Sequence, residues 1–169
     1  MWGLDRRRNG ETDVRLLLTS AAMTIVPAIA ADLAPIHVLL DAANLPSADI
    51  GAAQLAHFLV ARSTDSDELA GVVGLEPTAP VALLRSLAVA PSRRGAGVGA
   101  VLVAAIEALA AGQGINELVL LTTGAERFFA RLGYSVIARA DAPQVLQSTR
   151  EFAELCPASA VCMRKSIQI

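Results

Sequence analysis

The feature that most constrains the fold is a glycine-rich turn that joins an apolar strand to an apolar helix. The strand ends at Val89, three glycines lie within residues 95–99, and apolar residues then recur from Val98 to Leu109 at helical spacing. Such a stripe packs one face of the helix against a sheet. The glycines allow a ligand to approach the backbone closely, and the helix N-terminus favours an anion. The stretch therefore predicts a phosphate-binding loop.

Two familiar phosphate loops do not fit this stretch. A dinucleotide site needs an acidic residue at the end of the next strand, where Thr122 stands. A P-loop needs Gly-Lys-Ser or Gly-Lys-Thr, whereas Gly99 is followed by Ala100. A lone G-x-G can also be a purely structural turn, but two consecutive arginines precede the glycines and supply counter-charge for a phosphate.

The remaining apolar pattern predicts a mixed sheet flanked by helices. Segments 57–61, 69–76 and 81–90 are joined by short polar turns and predict an antiparallel meander. The continuous apolar run 118–121 predicts a strand buried on both faces and parallel to its neighbour, because a helix crosses between them. The other predicted elements are strands at 24–28, 134–138 and 159–167 and helices from 32, after Ser47, over 125–132 and from Pro143 to about Leu155.

Composition excludes several classes of protein. The 169 residues carry 14 basic and 16 acidic side chains, so the chain lacks the positive charge that nonspecific nucleic-acid binding requires. Polar residues interrupt every apolar run before the roughly 18 residues of a membrane span, so no membrane is expected as partner. Cys156 and Cys162 are too few for a disulfide framework, which predicts a reducing, cytoplasmic location.

Residues 1–22 are expected to form a poorly ordered extension before a single domain over 23–169. Three arginines at 6–8 and the apolar stretch that follows resemble an export signal, but residues 9–13 are polar and acidic and Pro27 lies within the apolar stretch. Termini of this composition are usually frayed.

Three segments carry a resemblance to a known family. Residues 94–99 match the R/Q-x-x-G-x-G/A acetyl-CoA motif of the GNAT superfamily of N-acetyltransferases, and segments 84–89 and 125–134 look like its companion motifs. The resemblance covers residues 23–169. It implies an α/β (α+β) fold of the GNAT type, with a twisted mixed, mostly antiparallel sheet of about six to seven strands flanked by helices.

Within that superfamily the pattern is most similar to the arsenic-resistance N-acetyltransferases. Segments 74–76, 83–86 and 154–160 carry this finer resemblance. It implies acetyl transfer from acetyl-CoA, as co-substrate and without a metal, to the primary amine of a small molecule such as an amino-acid-like toxin or an organoarsenical. Dimers are common in the family, so a homodimer is expected by analogy.

The resemblance also implies roles for individual residues. Backbone amides of residues 94–99 would hold the pyrophosphate, and backbone groups of Leu87 and Val89 would pair with the pantetheine arm as with an added strand. The Val89 amide would polarise the thioester carbonyl, and one such donor is typically worth about 3 kcal/mol. Core packing explains Phe128 equally well. The cofactor-binding residues implied are Leu87, Ala88, Val89, Arg94, Gly95, Ala96, Gly97, Val98, Gly99, Thr122, Phe128, Phe129 and Arg131.

One position departs from the family pattern. Many members carry a tyrosine five residues before the aromatic that follows the glycine of segment 125–134, and it protonates the departing thiolate. Here that position is Phe129, and the single tyrosine is Tyr134. Water or the hydroxyl of Ser86 or Thr122 would have to supply the proton.

Glu76 is the predicted catalytic base, since an attacking amine must first lose its proton. If the turn at 77–80 pairs Glu76 with Val81, then Arg85 pairs with Val72, and Glu76 and Arg85 lie on one face about 13 Å apart. They would then bind opposite ends of an amino-acid-like substrate near Ser86, although a bulge would change this register. The alternatives are a solvated Glu76 at a strand end and a snorkelling Arg85.

Other functions remain open from the sequence. A non-catalytic module could bind acetyl-CoA, or an arsenical sensor could use Cys156 and Cys162, although two thiols without nearby histidines make a poor metal site and favour core packing. Acetylation of a protein lysine or amino terminus is disfavoured because no acidic patch would attract a basic peptide. His37 and His57 are expected to be structural or exposed.

Overall fold

The computed structural model describes residues 17–18 and 23–168 and places eight strands in one sheet, in the order β1-β2-β3-β4-β5-β6-β8-β7. The predicted α/β class is confirmed, and so is the mixed, mostly antiparallel sheet. The two-residue β1 brings the number of strands to one more than expected. The predicted extension over residues 1–22 lies outside the described residues, apart from Leu17 and Leu18. The strands are β1 (Leu17–Leu18), β2 (Met23–Pro27), β3 (Phe58–Ser63), β4 (Leu69–Thr78), β5 (Val81–Val89), β6 (Glu117–Thr122), β7 (Ser135–Ile137) and β8 (Val161–Ser166).

Helices cover both faces of the sheet because each has one apolar stripe. Helix α1 (Leu33–Ala42) buries Ile36 and Leu40 in a cluster with Phe58. Helix α2 (Val98–Gly112) crosses from β5 to β6 and buries its stripe in the larger core cluster on the other face. Two short helices follow, α3 (Glu126–Arg131) and α4 (Gln144–Gln147). None of the helices in the described part of the chain is long and apolar enough to cross a membrane.

Two predicted helices are wrong. The helix expected after Ser47 is only a single 3-10 turn at Gln54–His57. The helix expected from Pro143 to Leu155 stops at Gln147, and a separate π-type turn follows at Glu151–Leu155. Thr149 explains the break, because its hydroxyl donates to the Leu146 carbonyl at 2.7 Å and so competes with regular helical hydrogen bonding.

Strands β5 and β6 separate after a short parallel pairing. Their pairing covers only Val81–Leu83 against residues 117–119, whereas β5 continues to Val89 and β6 to Thr122. A bulge in β5 accompanies this separation, and Ser86 there has a φ of 59°. The result is a gap between the carboxyl ends of two neighbouring strands, which we call the β5–β6 gap.

Replacing Gly74 by alanine is expected to destabilise the protein by about 1–3 kcal/mol. A Cβ at Gly74 would clash with the ring of Phe58, a side chain that is itself buried. The matched control is Gly112→Ala, where nothing lies within 4 Å and alanine favours the helix. Urea denaturation should show a loss of stability for the first variant and none for the second. Equal stability of the two variants would contradict the packing described here.

Candidate active site

The glycine turn leads directly into the N-terminus of α2, as predicted. Gly95 and Gly97 have φ values of 82° and 81°, a region that favours glycine. Gly97 is the N-cap residue, and no side chain caps the first turn of the helix. A Cβ at Gly95 or Gly97 would meet nothing within 4 Å, so the backbone N–H groups border open space. This arrangement suits a phosphate group.

The two arginines before the glycines brace the turn. Arg94 donates from Nε to the Val89 carbonyl at 3.3 Å, and Arg93 donates to Ser63 Oγ at 3.2 Å. These hydrogen bonds tie the turn to the sheet. They also keep both positively charged guanidinium groups beside the start of α2.

The free edge of β5 presents alternate backbone groups to the β5–β6 gap. The amide of Ala90 donates to the Ala70 carbonyl in the direction of β4, at 2.8 Å. Because backbone groups alternate along a strand, the N–H of Val89 points away from β4 and into the gap, as does that of Leu87. The predicted roles of these two residues fit this geometry. The predicted cofactor contact of Ala88 does not fit this geometry, since Ala88 pairs with Val72 of β4 and is buried.

The aromatic residues after β6 form a packed stack. Phe128 lies beneath the turn, so that a Cβ at Gly99 would be 3.3 Å from its Cζ. Phe128 contacts Phe129 edge to face, and Phe129 contacts Tyr134 in the same way. These packing contacts account for the choice of residue at 128 and 129, and Phe129 also lines the cavity described below.

Tyr134 is not placed to act as a proton donor for a thiolate. Its hydroxyl donates to Glu107 Oε1 at 2.9 Å, and Lys165 binds both oxygens of the same carboxylate. Burial, together with Glu107, raises the pKa of Tyr134 far above its usual value. The missing tyrosine at position 129 is therefore not replaced by this one.

Two further predicted cofactor residues make local contacts. Thr122 accepts a hydrogen bond from the Ala125 amide at 3.0 Å and so caps the turn before α3. Arg131 is exposed and donates to the Arg127 carbonyl at 3.3 Å. Thr122 lies at the β5–β6 gap, and Arg131 lies at the end of α3.

A cavity of about 540 Å³ opens from the gap. Its walls are the loop 43–48 after α1, residues 84–87 of β5, residues 120–125 after the divergence of β6, Phe129, Glu151, residues 155–157 and Ala160. We call the part lined by Ser47, Arg85, Glu151 and Cys156 the charged end.

Arg85 is buried at the charged end and binds several carboxylates. Its two Nη atoms donate to Asp49, with Nη2 at 2.7 Å from Oδ1. Its Nε lies 2.7 Å from Glu151 Oε2 and donates to Ser86 Oγ at 3.1 Å. Glu76 Oε2 lies 3.7 Å from Nη1. Asp49, Glu76 and Glu151 therefore surround one guanidinium.

The predicted separation of Glu76 and Arg85 is wrong. The turn pairs Thr78 with Val81, so Glu76 lies opposite Leu83 and Arg85 lies opposite Gly74. The two side chains thus approach across a short diagonal and form an ion pair. Asp49 occupies the Arg85 guanidinium, so the predicted binding of a substrate carboxylate would require its displacement.

Burial changes the acidity of this cluster. It raises the pKa of Glu151 to about 7, and it also raises the pKa of Glu76. The hydrogen bond from Arg85 holds the pKa of Asp49 below its usual value. At neutral pH the Asp49 carboxylate is therefore ionised, whereas Glu151, with a pKa of about 7, can gain or lose a proton.

Sequence reasoning missed Asp49 and Glu151. The available signal was Arg85 itself, a charged residue within the apolar run 81–89, because a buried arginine requires a carboxylate partner. That signal predicts that partners exist, but nothing local to residues 49 or 151 identifies them.

The two free cysteines have different surroundings. Cys156 lies at the charged end, 3.7 Å from Glu151 Oε1, and burial raises the pKa of its thiol to about 12. Cys162 is buried in a core cluster with Leu83 and Phe152. Within residues 17–18 and 23–168, no group of three or more candidate ligands could hold a metal ion.

The histidines lie outside the cavity lining. His37 Nε2 is 2.8 Å from the Ile50 carbonyl, which gives it a structural hydrogen bond. His57 ends the 3-10 turn before β3, and its Nδ1 is buried without a hydrogen-bond partner.

Comparison with known proteins adds independent support. Residues 54–136 match the family described as acetyltransferase (GNAT) domain. An uncharacterized N-acetyltransferase of Chlorobaculum tepidum is 40% identical over 67 residues, which are 40% of this chain and 43% of that protein. The chain thus spans less than half the length of this relative.

Solved structures share the fold at low sequence identity. The N-acetylglutamate synthase of Neisseria gonorrhoeae, complexed with coenzyme A and N-acetyl-glutamate, has a TM-score of 0.76 at 20% identity, over 89% of this chain and 36% of that one. A Mycobacterium tuberculosis protein in complex with CoA has a TM-score of 0.72 at 20% identity, over 85% of this chain and 98% of that one. The sequence motif and the divergent strands agree with this match, and residues 54–136 are similar to the GNAT acetyltransferase domain.

Proposed function

We propose that the protein is an acetyl-CoA-dependent N-acetyltransferase that acetylates the primary amine of a small molecule. The observation that carries the proposal is the β5–β6 gap, which joins a free strand edge to an uncapped helix N-terminus at one end and a charged cavity at the other. Acetyl-CoA supplies an acetyl group activated as a thioester.

The residues of the gap fit the parts of that co-substrate. Amides of residues 94–99 would hold the pyrophosphate, and the Arg93 and Arg94 side chains would add positive charge. Backbone groups of Leu87 and Val89 would pair with the pantetheine arm, which takes the place left by β6. The Val89 N–H would then stabilise the negative charge that develops on the thioester oxygen.

Replacing Val89 by proline should reduce kcat by about 100-fold, since it removes this single N–H. The amide does not pair with β4, so the substitution costs no sheet hydrogen bond. Val89→Ala keeps the amide and should stay within a few-fold of wild type. Steady-state rates at saturating acetyl-CoA measure the difference, and similar rates for the two variants would exclude Val89 as the oxyanion donor.

The finer assignment is an amino-acid-like acceptor, including organoarsenical ones, and a role in arsenic resistance. It is supported by the resemblance of segments 74–76, 83–86 and 154–160. The expected grip of Arg85 on a carboxylate no longer supports it, because Asp49 occupies that guanidinium.

A sensor that binds arsenicals through Cys156 and Cys162 has weaker support. Cys162 is 2% exposed in the core, and burial raises the pKa of both thiols. Thiolates are the form that binds soft metals, so both cysteines are poorly suited to that role.

The decisive experiment combines acetyl-CoA binding with turnover. Calorimetry should show binding of acetyl-CoA, and release of the coenzyme A thiol should follow on addition of a primary amine from a panel of small amines. A double Cys156→Ser, Cys162→Ser variant should retain turnover. Thiol-dependent arsenite binding without any turnover would reject the enzyme in favour of the sensor.

A further inference from the structure

Among the described residues, the charged end of the cavity has no unpaired cationic side chain that could bind an anionic ligand. Arg85 is the only Lys or Arg among the described residues that line the cavity, and its side chain is 1% exposed. Its Nη atoms bind Asp49, and its Nε donates to Ser86. A carboxylate on the acceptor would have to displace Asp49 from this arrangement.

The surplus charge of the cluster is negative. Asp49, Glu76 and Glu151 face a single guanidinium, so two of the three carboxyl groups lack a balancing cation of their own when ionised. A ligand that enters this end of the cavity is therefore favoured if it is positively charged.

Glu151 has an oxygen that lacks a hydrogen-bond partner. Its Oε2 is buried and forms an ion pair with Arg85 Nε at 2.7 Å, but the Nε–H is directed at Ser86, so Oε2 accepts no hydrogen bond. Its Oε1 receives only the weak S–H donor of Cys156 at 3.7 Å. A buried carboxylate oxygen without a donor is costly, and an ammonium group on a ligand would supply one.

The position of Glu151 relates it to the reaction. Glu151 and Leu87 line the same cavity, and Leu87 is one of the two residues that the proposed function pairs with the pantetheine arm. Glu76 also has a buried oxygen without a partner, but it does not line the cavity. Of the two glutamates, Glu151 is the one that faces an acceptor.

We propose that the charged end binds the ammonium group of an amine that carries no carboxylate beside it, and that Glu151 binds this ammonium and takes its proton. The inference rests on the proposed function and names its acceptor class and base. One ammonium proton passes to Glu151 and then to solvent. The amine nitrogen bonds to the thioester carbon, the carbon–sulfur bond breaks, and the second nitrogen proton goes to the coenzyme A sulfur.

Matched pairs of amines test the acceptor class. Tyramine and 2-phenylethylamine differ from tyrosine and phenylalanine only by the carboxylate, and each of the four has a single amine. We expect kcat/KM for thiol release to be at least about 10-fold higher for the amine of each pair. Equal or better turnover of the carboxylated members would overturn the inference and return the acceptor to the amino acids, organoarsenical ones included. No turnover with any amine would instead overturn the proposed function, and the inference with it.

Glu151→Gln tests the base. With the preferred amine, kcat/KM should fall by about 100-fold or more at pH 8. The matched control Glu154→Gln changes an exposed glutamate on the same turn and should leave the rate unchanged. Thermal melting of both variants checks that they fold. A Glu151→Gln rate within twofold of the control would overturn the role of Glu151.

The pH profile gives a second readout of the same group. Glu151 is faced by Arg85 from β5, Glu76 from β4, Asp49 from the loop after α1, and Cys156. Because burial raises its pKa to about 7, the carboxylate that accepts a proton forms as the pH rises through 7. Wild-type kcat/KM should therefore rise across that range and then level off. The inflection near pH 7 should be absent in Glu151→Gln, and its persistence would contradict the assignment.

Discussion

Arg85→Met is expected to destabilise the protein by about 3–5 kcal/mol at pH 8, the usual cost of removing one partner from a buried ionic group. The variant keeps an unbranched side-chain stem but leaves Asp49, Glu76 and Glu151 without their shared cation. Asp49 also loses both of its hydrogen bonds from the guanidinium. Urea denaturation of the wild type and the variant measures the loss.

The loss should shrink as the pH falls. Burial raises the pKa of Glu76 and Glu151 and Arg85 lowers both, so its removal raises them further and the folded variant takes up protons more readily than the folded wild type. Protonation stabilises the folded variant because it removes the unbalanced charge. At pH 5.5 we therefore expect a smaller destabilisation than at pH 8.

Arg150→Met is the matched control for this experiment. Arg150 forms an exposed ion pair with Glu154, and such pairs contribute about 0.5 kcal/mol or less. Arg150 is also the smallest of the causes that lower the pKa of Asp49, so the variant should change stability only slightly at either pH. An Arg85→Met variant as stable as this control, or one whose loss does not depend on pH, would show that the cluster is not a buried ionic group.

The part of the fold that sequence predicts well is the part specified by local patterns. The helix after the glycine turn has an apolar stripe, and the run 118–121 is apolar on both faces. These patterns determine α2, its crossover and the parallel pairing of β5 with β6. The glycine turn before α2 was predictable for the same reason, since its glycines, its arginines and its helix lie within one short segment.

The charged cluster was not predictable because it depends on register and on distant segments. Starting the meander turn at Thr78 instead of Glu76 moves the partner of Arg85 from Val72 to Gly74. In the predicted register Arg85 is four residues along β5 from the position opposite Glu76, whereas in the observed register it is two residues away. At the shorter separation two long side chains can reach each other. Asp49 and Glu151 come from a loop and a π-type turn whose positions are fixed only by tertiary packing.

Gly97→Glu is expected to weaken acetyl-CoA binding by about 100-fold or more. The new carboxylate would stand at the N-cap of α2, where the amides are proposed to hold the pyrophosphate. Like charges about 4 Å apart repel by about 4 kcal/mol at an effective dielectric constant of about 20, which is enough for such a loss. Calorimetric titration of acetyl-CoA measures it directly.

Gly114→Glu provides a close match for that variant. Gly114 follows the other end of α2 with a φ of 77°, against 81° for Gly97, and at both positions a Cβ would meet nothing within 4 Å. The two substitutions therefore share the charge change and the backbone strain of about 1–2 kcal/mol, but only one lies at the proposed pyrophosphate site. Acetyl-CoA should bind Gly114→Glu as it binds the wild type. If both variants bind equally well, the glycine turn is structural, whereas a selective loss in Gly97→Glu assigns the pyrophosphate to the N-terminus of α2.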